Sequence, residues 1–151
     1  KLQGEVYGKE ISRAHIYEGF REFILSLDET KTTVFIVSHK TKYPVIGERV
    51  NLHEKAIQFL SKEKILDNIF IKQKNIFFED LIEKKINRIN KLNLDLFIDD
   101  LPKVLKHKKF SKSTKKILID YEGLHKQYQG FIVNEWNEIF AQCFKSKNEN
   151  K

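Results

Sequence analysis

The most informative stretch of the chain is Thr33-Val34-Phe35-Ile36-Val37, which is followed directly by Ser38-His39-Lys40-Thr41-Lys42. A continuous run of β-branched and aromatic residues is typical of a strand buried on both faces, as in a parallel sheet. The polar residues after it predict a loop, and ligands of open parallel sheets bind beyond the carboxyl ends of the strands. We expect Ser38, His39 and Lys40 to offer a phosphate their hydroxyl, backbone N–H groups and cation.

Helices and strands are predicted to alternate along the rest of the chain. Further strands are expected at 69–71, 76–78 and 94–98, and the last strand at 117–119. Helices are expected at 16–27, 52–60, 79–92 and from 134 onwards. Asn51 is expected to cap the second helix with Glu54 as its capping-box partner, and Asn134 to cap the last. This alternation indicates an α/β domain with a mainly parallel sheet, which we place at 1–145, followed by a polar tail at 146–151.

The composition is that of a chain with a real core, since 40% of its 151 residues are hydrophobic and 12% are aromatic. No apolar run approaches the ~20 residues that span a bilayer. The first residues lack the apolar segment of a signal peptide, so we expect a soluble, cytoplasmic protein without a membrane partner. The single cysteine excludes an internal disulfide framework and a cysteine-based zinc site.

The charge is strongly positive, at +7, with 24 Lys and four Arg among the 28 basic residues. Base readout and bidentate phosphate contacts favour Arg, so this balance favours a solvated lysine-rich surface over a nucleic-acid interface. The densest cluster of lysines lies in a predicted loop around Ser111, Ser113 and Thr114, and a polyanionic ligand could bind there. Its members are Lys103, Lys106, Lys108, Lys109, Lys112, Lys115 and Lys116.

Two adjacent carboxylates, Asp99 and Asp100, end the predicted strand at 94–98. They would repel each other unless a cation, a proton or a helix N-terminus intervened, and Mg²⁺ prefers such oxygen ligands. The same residues could instead cap a helix that starts near Pro102. Local sequence leaves both interpretations open.

A lysine is predicted inside the apolar face of the helix at 79–92. At ~100° per residue, Lys85 falls within the arc of its apolar residues, whereas Lys84 falls on the opposite side. That arc is formed by Leu81, Ile82, Ile86, Ile89 and Leu92. A lysine there either meets an anion or extends to solvent, and both alternatives stay open.

Together these blocks resemble the haloacid dehalogenase superfamily of phosphohydrolases. The segment from Phe35 to Thr41 is similar to its second motif, a strand ending in Ser or Thr, Lys85 to its third-motif lysine, and Leu96-Phe97-Ile98-Asp99-Asp100 to its fourth motif. A bacterial subgroup carries blocks similar to Leu2-Gln3-Gly4 with Tyr7-Gly8, Val37 to Thr41, Phe77-Phe78-Glu79 and Phe97 to Pro102. The resemblance runs over nearly the whole chain, to about Trp136.

The resemblance implies a three-layer, Rossmann-like core and a Mg²⁺-dependent phosphatase or phosphotransferase. It would act on a phosphorylated small molecule through an aspartyl-phosphate. Ser38 would hydrogen-bond the transferring phosphoryl group, Lys85 would stabilise its charge, and Asp99 and Asp100 would hold or orient Mg²⁺.

The chain departs from the family at one point. The family nucleophile is the first Asp of an Asp-x-Asp motif on a strand between those that end in Ser38 and Asp99, and no such motif occurs at the start of this chain. We therefore expect that strand upstream of Lys1. The alternative is a non-catalytic module that binds nucleic acid or another polyanion through its lysine-rich face.

Overall fold

The computed structural model describes residues 14–66 and 70–144. In chain order the elements are α1 (Phe20–Leu25), β1 (Ile36–His39), α2 (Leu52–Lys62), β2 (Ile76–Glu79), α3 (Ile82–Leu92), β3 (Leu96–Asp99), α4 (Pro102–Leu105), β4 (Lys115–Ile119), β5 (Phe131–Val133) and α5 (Trp136–Phe144). A short 3-10 helix, Gln73–Asn75, precedes β2. The coarse prediction of an α/β protein with parallel strands is confirmed.

The described chain forms two compact units. One holds Asp28–Lys85 and the described part of Lys1–Ile16, and the other holds Tyr17–Leu27 and the described part of Ile86–Lys151. The expectation of one domain over 1–145 stays a prediction. The blocks at Leu2 to Gly8 and the tail at 146–151 lie outside the described residues.

In the first unit β1 pairs with β2 in parallel, from Ile36 opposite Ile76 to His39 opposite Glu79. Both carboxyl ends therefore lie at the same edge of this two-stranded sheet. Helix α2 begins where expected: Asn51 Oδ1 accepts the N–H groups of His53 (3.1 Å) and Glu54 (3.3 Å). The predicted capping pair is present in a modified form, because Glu54 accepts from the Asn51 side-chain amide at 2.7 Å.

The strand predicted at 33–37 lies further along the chain, at Ile36–His39, and within it only Val37 is buried. The carbonyl oxygen of Val34 accepts from the Asn75 side chain at 3.2 Å, so the ladder starts after it. The strand predicted at 69–71 is wrong for its described residues: Phe70 and Ile71 are buried without strand structure, and Ile69 lies outside the described residues. The strand at 76–78 is confirmed as β2.

In the second unit β3, β4 and β5 form a parallel sheet in that order. Ile117 and Leu118 of β4 are fully buried. The prediction that 117–119 is the last strand is wrong, because β5 pairs with it from Ile117 opposite Phe131 to Ile119 opposite Val133. β5 has only three residues, too few for a periodic signal to indicate it.

Helices α1 and α5 pack through aromatic side chains. The Trp136 ring lies 4.8 Å from that of Phe20 and 5.3 Å from that of Phe23, between ring centroids. The expected cap by Asn134 is replaced by a different contact: its side-chain amide donates to the Asp120 carbonyl at 2.6 Å, which ties α5 to the end of β4.

Two further predictions need correction. Helix α3 begins at Ile82 and not at 79, and Leu81, ahead of it, is 54% exposed and outside the buried face. The lysine cluster is only partly a loop, because Lys103 lies in α4 and Lys115 and Lys116 lie in β4.

Within residues 14–66 and 70–144, every helix is too short or too polar to cross a bilayer.

Candidate functional site

Ser38 and His39 are the last two residues of β1. Ser38 is half-buried and lies opposite Phe78, whereas His39 is exposed. The Nε2 atom of His39 is 3.0 Å from the carbonyl oxygen of Asp80. A carbonyl only accepts, so Nε2 carries the proton and Nδ1 is an acceptor in the neutral ring. Because Nε2 donates to Asp80, only Nδ1 is left to contact a phosphate, and Nδ1 can donate a hydrogen bond only when the ring carries both protons.

The backbone after β1 is held in place on both sides. The Lys40 N–H donates to the Glu79 carbonyl at 2.8 Å, and the Lys40 carbonyl accepts from His53 Nε2 at 2.9 Å. The His53 ring stacks on Phe78 with centroids 4.7 Å apart, which fixes its orientation. The Leu52 N–H donates to the Lys42 carbonyl at 2.8 Å, so helix α2 begins against this loop.

The side chain of Lys40 is half-buried. Burial lowers the pKa of its ammonium group, because the charged form loses hydration. An anion bound beside it would favour the charged form again. This electrostatic response is suited to a phosphate ligand.

Lys85 lies within the buried face of α3, as the sequence predicts. Its side chain is 6% exposed, and Ile86 and Ile89 are fully buried. Lys84 instead faces solvent and pairs with Asp80, with Nζ 2.7 Å from a carboxylate oxygen. The helical periodicity thus distinguished two adjacent lysines correctly, and Lys85 is the buried one of the two.

Asp99 is the last residue of β3 and is 8% exposed, whereas Asp100 is exposed. Asp99 Oδ1 accepts from the Leu101 N–H at 2.9 Å. Leu101, not either aspartate, occupies the N-cap position of α4, and its side chain makes no capping hydrogen bond. The alternative in which Asp99 or Asp100 caps this helix is therefore wrong, and the contact of Asp99 is a local turn between strand and helix.

The predicted site residues divide into two groups by unit. Ser38, His39, Lys40 and Lys85 belong to the first, and Asp99 and Asp100 belong to the second. Among the described residues, no three His, Cys, Asp or Glu side chains form a group that could hold a metal ion. Binding of one phosphate and one Mg²⁺ by the two groups stays a prediction.

A buried carboxylate that the sequence did not single out is Asp120, at the end of β4. It is 5% exposed, and its two oxygens accept from the N–H groups of Leu124 (3.0 Å) and His125 (2.8 Å). Both hydrogen bonds close the turn after β4. Asp120 is therefore a structural residue, although, like Asp99, it lies at the carboxyl end of a strand.

No family model and no solved structure matches the chain. Over 144 residues it is 28% identical to Reticulocyte-binding protein homolog 1 of Plasmodium falciparum. The aligned region covers 92% of this chain, and the chain spans only 4% of that much longer protein. A similarity of this extent does not assign the chain to a family.

Proposed function

We propose that the chain belongs to a Mg²⁺-dependent phosphohydrolase of the haloacid dehalogenase type that acts on a phosphorylated small molecule. The observation that carries the proposal is Asp99, a carboxylate 8% exposed at the carboxyl end of a parallel strand. Burial of a carboxylate is costly unless a hydrogen bond or a cation compensates it. The Leu101 N–H supplies one such contact, and Mg²⁺ would supply a stronger one.

The reaction would take place in two displacements. A carboxylate oxygen of the family's aspartate nucleophile attacks phosphorus, and the ester oxygen leaves as an alcohol after gaining a proton. Water then attacks the phosphorus of the aspartyl-phosphate, which releases inorganic phosphate and restores the carboxylate. Mg²⁺, when bound, would neutralise charge on the phosphoryl oxygens.

The residues of this chain would bind and orient the phosphoryl group. The Ser38 hydroxyl would donate to one of its oxygens, from a strand end held by the backbone contacts of Lys40. The half-buried Lys40 ammonium would add a positive charge. Lys85, whose side chain is buried, would offset the negative charge that develops on the oxygens, and it would do so without the reorganisation that water requires.

The open edges of the two sheets support the position proposed for the nucleophile. Within the described ranges β1 is hydrogen-bonded only to β2, and β3 only to β4, so each of the two strands that carry site residues is an edge strand. An edge strand presents unpaired N–H and C=O groups that another strand can satisfy. We propose that the strand with the Asp-x-Asp motif pairs with the edge of β3, the strand that ends in Asp99.

A phosphatase assay with Mg²⁺ tests the proposal. The protein would be expressed with whatever residues its gene encodes before Lys1, and assayed against a panel of phosphorylated sugars, nucleotides and small acids. We expect hydrolysis that requires Mg²⁺, and at least a roughly 100-fold loss in Asp99→Asn.

The matched control is Asp95→Asn, which makes the same change at an exposed carboxylate just ahead of β3. It should keep full activity. Equal activity in Asp99→Asn and Asp95→Asn, or no Mg²⁺-dependent turnover of any phosphoester, would refute the proposal.

A further inference from the structure

A groove of about 300 Å³ lies in the second unit. Its lining includes Lys106, Lys115, Lys116, Tyr128 and Phe131. Lys115 is the first residue of β4 and Phe131 the first residue of β5. The groove therefore lies at the amino ends of the strands, whereas Asp99 lies at the carboxyl end of β3.

The chain around the groove is exceptionally basic. Residues 101–119 contain seven lysines and no Asp or Glu. Three of these lysines line the groove, and Lys103, Lys108 and Lys112 are exposed nearby in sequence. A concentration of one sign of charge creates a positive potential that attracts phosphates.

Aromatic rings lie directly beside the cations of the groove. Lys106 Nζ is 5.3 Å from the Tyr128 ring centroid, and Lys115 Nζ is 4.7 Å from that of Phe131. Phe131 is 52% exposed, which is unusual for a large apolar side chain at the start of a sheet strand. The groove thus offers a flat apolar ring and ammonium groups within a few ångströms of each other.

Gly130 shapes the wall of this groove. A Cβ atom built on Gly130 would lie 2.5 Å from Cε1 of the Tyr128 ring, closer than any real contact allows. Glycine at this position therefore permits the ring to lie against the backbone next to Phe131. The rings of Tyr128 and Phe131 and the lysines beside them therefore lie together along one wall of the groove.

We propose that this groove binds single-stranded nucleic acid. One base stacks on the exposed ring of Phe131, while the adjoining phosphates contact Lys106, Lys115 and Lys116. Base stacking with phosphate contacts is the recognition mode of sequence-tolerant single-strand binding. A duplex keeps its base faces stacked internally, and a polyphosphate has no base to place on the ring.

The excess of Lys over Arg does not oppose this proposal. That excess disfavours bidentate readout of base edges, which a guanidinium group suits better than an ammonium group. Stacking uses the face of a base, and phosphates accept a lysine as a point charge. A groove of this kind is thus compatible with the lysine-rich composition. The proposal narrows the alternative of a polyanion-binding module to one surface and one class of ligand.

Binding of a fluorescent oligothymidylate of about eight nucleotides, followed by anisotropy at several salt concentrations, tests the proposal. The charge variant is Lys106→Gln with Lys116→Gln. Its matched control is Lys72→Gln with Lys74→Gln, which removes two exposed lysines of the first unit. We expect weaker binding only in the groove variant, with a log–log salt slope smaller by about 1.4.

The stacking variants are Phe131→Ala and Phe131→Leu, of which the second keeps an apolar side chain if the first perturbs folding. Each should weaken oligonucleotide binding about tenfold and leave binding of inorganic polyphosphate unchanged. Circular dichroism establishes that each variant is folded.

Four outcomes would overturn the proposal. They are no binding at low salt, equal losses in the groove and control lysine variants, no effect of Phe131→Leu, and duplex or polyphosphate bound as tightly as the single strand. None of these outcomes bears on phosphatase activity, so the two proposals can fail independently.

Discussion

The imidazole Nε2 of His39 lies 3.0 Å from the backbone carbonyl oxygen of Asp80, which links the last residue of β1 to the residue that follows β2 at the same edge of their sheet. The contact joins residues 41 positions apart in the chain. It holds together the strand end that carries Ser38 and assigns the ring proton to Nε2.

The first prediction concerns this contact. His39→Ala should lower the free energy of unfolding by about 1 kcal/mol, because one hydrogen bond is lost at a partly solvated site. His39→Gln should lose less, since its amide N–H₂ can also donate to the Asp80 carbonyl. Urea unfolding of the three proteins measures the difference, and equal stability of wild type and His39→Ala would contradict the assignment.

The second prediction separates two adjacent lysines of the α3 segment. Lys85→Met should abolish the proposed phosphatase activity with little loss of stability, because removing a buried charge offsets the loss of its partner contacts. Lys84→Met should leave activity unchanged, since the pair with Asp80 is exposed and screened. Steady-state assays with Mg²⁺ and thermal unfolding provide the two readouts, and activity retained in Lys85→Met would exclude a role for its charge.

The third prediction concerns the start of α2. Asn51→Ala should destabilise the protein by about 1 kcal/mol, because the N–H groups of His53 and Glu54 lose their acceptor. Asn51→Ser keeps a capping oxygen and should recover most of this stability. Urea unfolding midpoints of the wild type and the two variants, compared at constant m-value, measure the difference in stability. Equal midpoints for Asn51→Ala and Asn51→Ser would count against capping.

The fourth prediction follows from the environment of Tyr121. Its hydroxyl accepts from Trp136 Nε1 at 2.8 Å, and burial raises the pKa of Tyr121 to about 12 from an ordinary value of 10.0. At a pH between these values the unfolded chain has lost a proton that the native protein keeps. This contribution to stability is therefore complete below pH 10 and is lost as the pH rises towards 12.

Urea unfolding at a series of alkaline pH values measures this loss. Tyr121→Phe should show a shallower fall over the same range, although its stability at neutral pH is lower because Trp136 loses an acceptor. The pKa of Tyr128 is also raised by burial, so the comparison with Tyr121→Phe is what isolates the contribution of Tyr121. Parallel pH profiles for the two proteins would contradict the prediction.

Several features of the candidate site could be predicted from local spacing. The burial of Lys85 and the exposure of Lys84 follow from the ~100° that separates successive residues of a helix. The position of Asp99 at a strand end follows from the apolar run before it. The proton on His39 Nε2 and the Leu101 contact of Asp99 could not be predicted, because each depends on backbone positions that only folding brings into range.

Periodicity and helix-end signals alone were sufficient for the α/β alternation, for the cap at Asn51 and for the buried stripe of α3, since all the atoms concerned lie within one or two turns of helix. Folding decided the bounds of β1 and the existence of β5, because a strand is defined by hydrogen-bond partners distant in the chain. Val34 bonds to Asn75, and Phe131 pairs with Ile117. The same long-range pairing brings Phe131 beside Lys115 and creates a groove that no local pattern indicates.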